Sequence, residues 1–141
     1  MKKIFISSDH AGFILKEQIK LFLKKKKYTF LDLGPKNEES VDYPDYAHAV
    51  AKKVQKNKNY RGILVCGSGT GMVITANKHK KIRAAQCYSV KSTKLSRLHN
   101  DANIITLGSR LLSKKSALNC VGTFLKTKFE GGRHLRRIKK I

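Results

Sequence analysis

Cys66 ends an apolar run and opens onto alternating glycines, residues 64–72 reading LVCGSGTGM. A thiol can carry a proton or attack carbon, and glycine-rich backbone turned toward one point offers N–H groups to an anion. Three glycine-loop chemistries are excluded by what surrounds them. The dinucleotide fingerprint needs a third glycine where Met72 stands, a place after the first strand, and an acidic residue about 20 positions on. Nothing acidic lies between Asp45 and Asp101. A Walker loop needs Gly-Lys-Ser/Thr, and a thiol phosphatase loop needs arginine at position 72; neither is present.

What remains is an anion hole with a thiol at its entrance. The N–H groups of residues 67–71 can converge on an oxyanion, the following helix adds a positive dipole end, and the same field favours Cys66 as thiolate. Interconversion of an aldose and a ketose uses such a pair: one group carries a proton between adjacent carbons while donors stabilise an enediolate. Spacing alone leaves a second reading open, a buried strand-end cysteine beside a tight turn.

These residues must be positioned by regular elements, and hydrophobic periodicity supplies them. KKIFIS (2–7) is a short apolar strand running into Ser8-Asp9-His10. In the next segment Leu15, Ile19, Phe22 and Leu23 fall at helical spacing, predicting a helix with a wet lysine face. YTFLDL (28–33) is a second strand closed by Gly34-Pro35, and Pro44 opens a helix carrying Tyr46, Ala47, Val50 and Val54 on one side. GILVC (62–66) is a third strand, its unbroken apolar run predicting burial on both faces. A helix through about Asn77 follows the glycine loop. RAAQCY (83–88) and NIITL (103–107) are the last strands, with helices over 89–100 and from Ser113 to Phe129. Five strand–helix alternations predict a single-domain α/β fold over 1–141, with three α/β/α layers, a five-stranded, mostly parallel, Rossmann-like sheet and a basic C-terminal tail, 130–141. Ligands of such sheets bind beyond the carboxyl ends of the strands, where Asp9-His10, Cys66 with its loop, and Gly108-Ser109-Arg110 all fall.

Composition bounds the alternatives. The 141 residues carry 31 Lys+Arg against 9 Asp+Glu, a formal charge of +22. Such a charge attracts nucleic acid or acidic membrane. However, 24 of the 31 are lysines spread over helices and loops, without the stripe, zinc finger or aromatic motif of a dedicated RNA or DNA binder. No segment has the ~20 apolar residues of a membrane span, and MKKIFISSDH is too short in apolar residues for a signal peptide. Three cysteines without paired spacing and five histidines without helical ligand spacing predict neither a disulfide framework nor a structural metal, and a reducing, cytoplasmic setting. Cys87 and Cys120 read as core.

SDHAG (8–12), DYPDYA (42–47), CGSGTG (66–71), ANKHKKIRAA (76–85), SRLHNDAN (96–103), GSR (108–110) and EGGRH (130–134) occur in that order over nearly the whole chain. Together they resemble the type B ribose-5-phosphate isomerases, a family shared with galactose- and allose-6-phosphate isomerases. The resemblance implies a metal-independent, cofactor-free aldose–ketose isomerase interconverting ribose 5-phosphate and ribulose 5-phosphate in the non-oxidative pentose phosphate pathway. It implies Cys66 as the base between C1 and C2, and Gly67, Ser68, Gly69, Thr70 and Gly71 as the anion hole. His99 matches the acid that opens the furanose ring. Asp9, His10, Tyr43 and Asn100 match sugar-binding positions, and Arg110, Arg133 and Arg137 match arginines around the phosphate, a group the guanidinium fork suits. A hexose-6-phosphate isomerase of the same family is the nearest alternative. A basic nucleic-acid-binding module is a remote one, explaining the charge but not Cys66, the glycine loop or His99.

One expectation follows from placement. Cys66 ends the third strand, whereas His99 ends the helix feeding the fifth and belongs near that strand's amino end. A five-residue strand spans roughly 17 Å, too far for one sugar phosphate. A homodimer, possibly within a tetramer, would join the two across composite sites, and the resemblance implies a dimer as well.

Overall fold

The computed structural model describes residues 2–141. Five strands form one sheet: β1 (Lys3–Ser8), β2 (Phe30–Asp32), β3 (Tyr60–Cys66), β4 (Ala84–Gln86) and β5 (Ile104–Gly108). The helices are α1 (Phe13–Lys25), α2 (Tyr43–Val54), α3 (Thr70–Ala76), α4 (Val90–Asn100), α5 (Lys114–Lys126) and α6 (Arg133–Ile138). The sheet order is β2-β1-β3-β5-β4 and every pairing is parallel. Helical crossovers allow parallel neighbours, and the mostly parallel sheet expected from sequence is wholly parallel.

Alternate side chains of each strand feed two cores. Ile4, Ile6, Ile63, Val65, Ile105 and Leu107 pack with Leu15, Ile19 and Leu23 of α1 and with Ala117, Cys120, Val121 and Phe124 of α5. Phe5, Leu64, Cys66 and Ile104 face the other way, onto Ala47, Val50, Ala51 and Val54 of α2 and Met72 and Ala76 of α3. Ile63, Leu64 and Val65 have no exposed surface, and burial of each such side chain contributes about 1.5–3 kcal/mol. This is why the strand is an unbroken apolar run.

The chain moves outward from β1 to β2, then returns to place β3 on the other side of β1. Consequently α1 leaves the end of β1 toward one layer and α3 leaves the end of β3 toward the other. A crevice must open between them, the topological switch point of such sheets.

The lysine face of α1 is not wholly wet. The side chain of Lys16 is completely buried, its ammonium 2.8 Å from Asp32 Oδ2 and donating also to the Pro35 carbonyl. Lys20 joins the same carboxylate at 2.7 Å. Helical periodicity had placed these lysines on the solvent face. The carboxylate ending β2 draws one of them inside, because a buried ammonium is tolerated when paired and hydrogen-bonded.

Candidate active site at the sheet switch point

The crevice between β1 and β3 holds a cavity of about 380 Å³ lined by Asp9, His10, Tyr43, Cys66, Gly67, Ser68, Gly71 and Arg110, with Ala11 and Leu111. Asp9 and His10 leave the end of β1, Cys66 ends β3, and Arg110 follows β5 by two residues. Tyr43 comes from the opposite direction, at the first turn of α2.

Close backbone approach explains the glycines. A Cβ on Gly12 would run into the Val65 carbonyl, so only glycine lets α1 start this near β3. A Cβ on Gly71 would lie 2.5 Å from the Tyr43 ring, and one on Gly67 3.1 Å from Arg110 Nη1. Tyr43 and Arg110 therefore sit directly over bare backbone. Gly69 has φ of +80°, a conformation costing other residues roughly 1–2 kcal/mol.

Cys66 is 5 % exposed, and its Sγ accepts a hydrogen bond from the Gly69 N–H at 3.1 Å. That donor stabilises negative charge on sulfur. The Thr70 N–H turns to Ser68 Oγ at 3.2 Å. Two of the five loop donors are thus engaged within the loop itself, and Gly67, Ser68 and Gly71 line the cavity. The helix behind the loop has only seven residues, so local N–H groups outweigh any long dipole.

The rest of the wall is braced. Asp9 Oδ1 accepts from the Gly12 N–H at 2.9 Å. His10 Nδ1 accepts from the Val41 N–H at 3.2 Å, which makes Nε2 the donor nitrogen of the neutral ring. Ser109 Oγ donates to the Ala11 carbonyl at 2.8 Å, tying the loops after β5 and β1 together. Sequence reasoning missed Gln86. Its amide donates to the Ser68 carbonyl at 2.7 Å and to Thr70 Oγ1 at 3.2 Å, holding the glycine loop from β4. The only sequence signal for it was a polar residue at a strand end.

Four predicted site residues lie elsewhere on the chain. His99 and Asn100 close α4, on the side leading into the amino end of β5, and Asn100 lines a separate cavity with Arg83 and Ser96. Arg133 and Arg137 lie one helical turn apart on α6, both exposed. Beside them His99 stacks on His134 with ring centroids 4.3 Å apart and planes 17° from parallel. Glu130 lies between the two, 4.0 Å from His99 Nε2 and 3.9 Å from His134 Nε2. Burial lowers the pKa of His134, and the positive charge of His99, Arg133 and Arg137 adds to this against the opposing pull of Glu130. His48 and His79, for which the sequence suggested no role, share a hydrogen bond of 2.7 Å.

A thiol beside backbone donors, at the switch point of a parallel sheet, defines an α/β enzyme of small-molecule chemistry. Known proteins agree in sequence and in fold. The sequence pattern of the Ribose/Galactose Isomerase family matches residues 4–141. The chain is 47% identical to the probable ribose-5-phosphate isomerase B of Mycoplasma genitalium, over 98% of this chain and 92% of that one. It is 43% identical to ribose-5-phosphate isomerase B of Escherichia coli, over 100% and 95%. The crystal structure of the Mycoplasma genitalium enzyme with bound ribulose-5-phosphate superposes with a TM-score of 0.95 at 46% identity, covering 99% of this chain and 93% of that one. The chain belongs to the Ribose/Galactose Isomerase family. It is an isomerase, similar in sequence and fold to the ribose-5-phosphate isomerases B.

Proposed function

We propose that the chain interconverts D-ribose 5-phosphate and D-ribulose 5-phosphate through an enediolate, with Cys66 as the proton carrier. The observation that carries this reading is Cys66 Sγ buried at the cavity floor, beside the N–H groups of the glycine loop. In the open-chain aldose the thiolate takes the proton from C2, and the electron pair forms the C1–C2 double bond as charge moves to O1. The loop N–H groups stabilise that charge. The thiol returns the proton to C1 while the O2 proton passes to O1, so the carbonyl forms at C2 and O1 ends as a hydroxyl. No oxidant or cofactor enters this balance. Asp9, His10 and Tyr43 hold the sugar, with Arg110 supplying cationic donors for the phosphate.

Ring opening is assigned to His99 of a partner subunit, with Asn100, Arg133 and Arg137 completing the same site from across a homodimer. The reading is supported by their position toward the amino end of the sheet, away from Cys66. A pentose phosphate reaction implies the cytoplasm. No helix among the described residues is long and apolar enough to cross a membrane.

Initial rates on ribose 5-phosphate and allose 6-phosphate, measured side by side, test the substrate. Ribose 5-phosphate should be turned over with the higher kcat/KM. A clear preference for the hexose would replace this reading with the six-carbon member of the family.

A further inference from the structure

His134 poses an unanswered question. Its side chain is 7 % exposed, yet Nε2 is buried without a hydrogen-bond partner. That nitrogen faces the Glu130 carboxylate at 3.9 Å, too far to donate to it, and the other carboxylate oxygen lies 4.0 Å from His99 Nε2. One ligand atom from each of the three residues lies within 4.8 Å of the others.

We infer that His99, Glu130 and His134 form a binding site for a divalent ion of the zinc class, whose occupancy suppresses turnover of ring-closed ribose 5-phosphate. Two imidazoles and one carboxylate are the donor set of three-ligand zinc sites that keep one position for water, and they disfavour the harder magnesium and calcium ions. At bond lengths of about 2.0–2.2 Å, tetrahedral neighbours lie roughly 3.3 Å apart. The two imidazole–carboxylate separations, 4.0 and 3.9 Å, must therefore shrink by about 0.6–0.7 Å, and any pair at the 4.8 Å limit of the cluster by about 1.5 Å. The buried ring of His134 is the fixed ligand. Side chains of His99 and Glu130 are 41 % and 54 % exposed, so the His99 ring can turn out of its stack until both Nε2 lone pairs meet at one point. This suppression rests on the assignment of His99 to ring opening: a metal on Nε2 occupies the lone pair that would otherwise carry the proton.

Cobalt(II), which reports zinc sites through its visible d–d absorption, tests the site without reference to activity. The full chain carrying Cys66→Ala keeps the active-site thiol out of the reading. Four-coordinate cobalt bands should form in this protein, be displaced by zinc, and be lost when Glu130→Gln or His99→Ala is added. Both added substitutions are at partly exposed positions, and circular dichroism checks that each protein is folded. Absence of the bands, or their persistence in either variant, overturns the site. With Cys66 restored, zinc should depress the rate from ribose 5-phosphate to that of His99→Ala protein. It should leave the rate from ribulose 5-phosphate much less affected, and Glu130→Gln should lose this difference relative to its own metal-free rates. If the cobalt bands depend on the cluster but zinc slows both substrates equally, the metal site stands and the ring-opening role of His99 falls.

Discussion

In the proposed reaction a single sulfur atom carries the proton, and the question is what could replace it. Cys66 Sγ is held by the Gly69 N–H, and no other thiol lines the cavity. Asp9, the nearest alternative base by chemistry, has Oδ1 engaged by the Gly12 N–H. Cys66→Ala should therefore lower kcat by about 10²–10⁴-fold, the range of a lost acid–base group. Binding of the phosphosugar should change little, because alanine removes no phosphate ligand. Solvent-deuterium exchange at C2 of ribose 5-phosphate checks the assignment. Exchange that continues in the alanine protein would take the base role away from Cys66.

Elements carry the site through one internal clamp. Lys16 of α1 and Lys20 one turn later both grip Asp32 at the end of β2, and the same strand end leads through Val41, which holds His10, to Tyr43. Burial acts to raise the pKa of Asp32, but hydrogen bonds from Lys16 and Lys20, with the Gly34 N–H, leave it below its ordinary 3.8. A depressed carboxylate contributes stability that is present above its unfolded value and lost as pH falls through the folded one. Asp32→Ala strands the buried Lys16 ammonium and should cost about 3 kcal/mol at neutral pH. The deficit should narrow as pH falls through and below the ordinary 3.8, where the wild-type carboxylate takes up its proton. Urea unfolding at pH 7 and at pH 3 measures both. A deficit of equal size at the two pH values would mean that the charge contributes nothing.

For the whole molecule the proposed roles of Cys66 and His99 require residues at two ends of a sheet to serve one substrate. Cys66 pairs with Gly108 at the carboxyl end of the sheet, whereas His99 precedes Ile104, which pairs with Gly62 nearer the other end. With composite sites, inactive Cys66→Ala and His99→Ala chains complement one another. In a mixed dimer one site carries both defects and the other none. Random pairing of equal amounts, after dissociation and reassociation, should restore about a quarter of wild-type activity on ribose 5-phosphate. A mixture that stays inactive although mixed dimers form would place the site within one chain.

By itself the sequence determined what depends on near neighbours. The 3.6-residue spacing of Leu15, Ile19 and Leu23 and the unbroken run Ile63–Val65 each specify an element, because a helix or strand buries a face set by residues only a few positions apart. The Cys66 loop was equally legible: a thiol followed by glycines constrains the local backbone whatever surrounds it. Other features depend on contacts between distant residues and have no local pattern. Strand order β2-β1-β3-β5-β4, which opens the crevice, follows from packing two helical layers on opposite faces of one sheet. Lys16 reads as a surface lysine until Asp32, 16 residues on, meets it. Gln86 reaches the loop across 18 residues. Glu130 and His134 are four residues apart, but His99 joins them only because α4 packs beside the chain that leads into α6. Periodicity belongs to a segment and a cluster belongs to the fold, so only tertiary structure decided which charged side chains would meet.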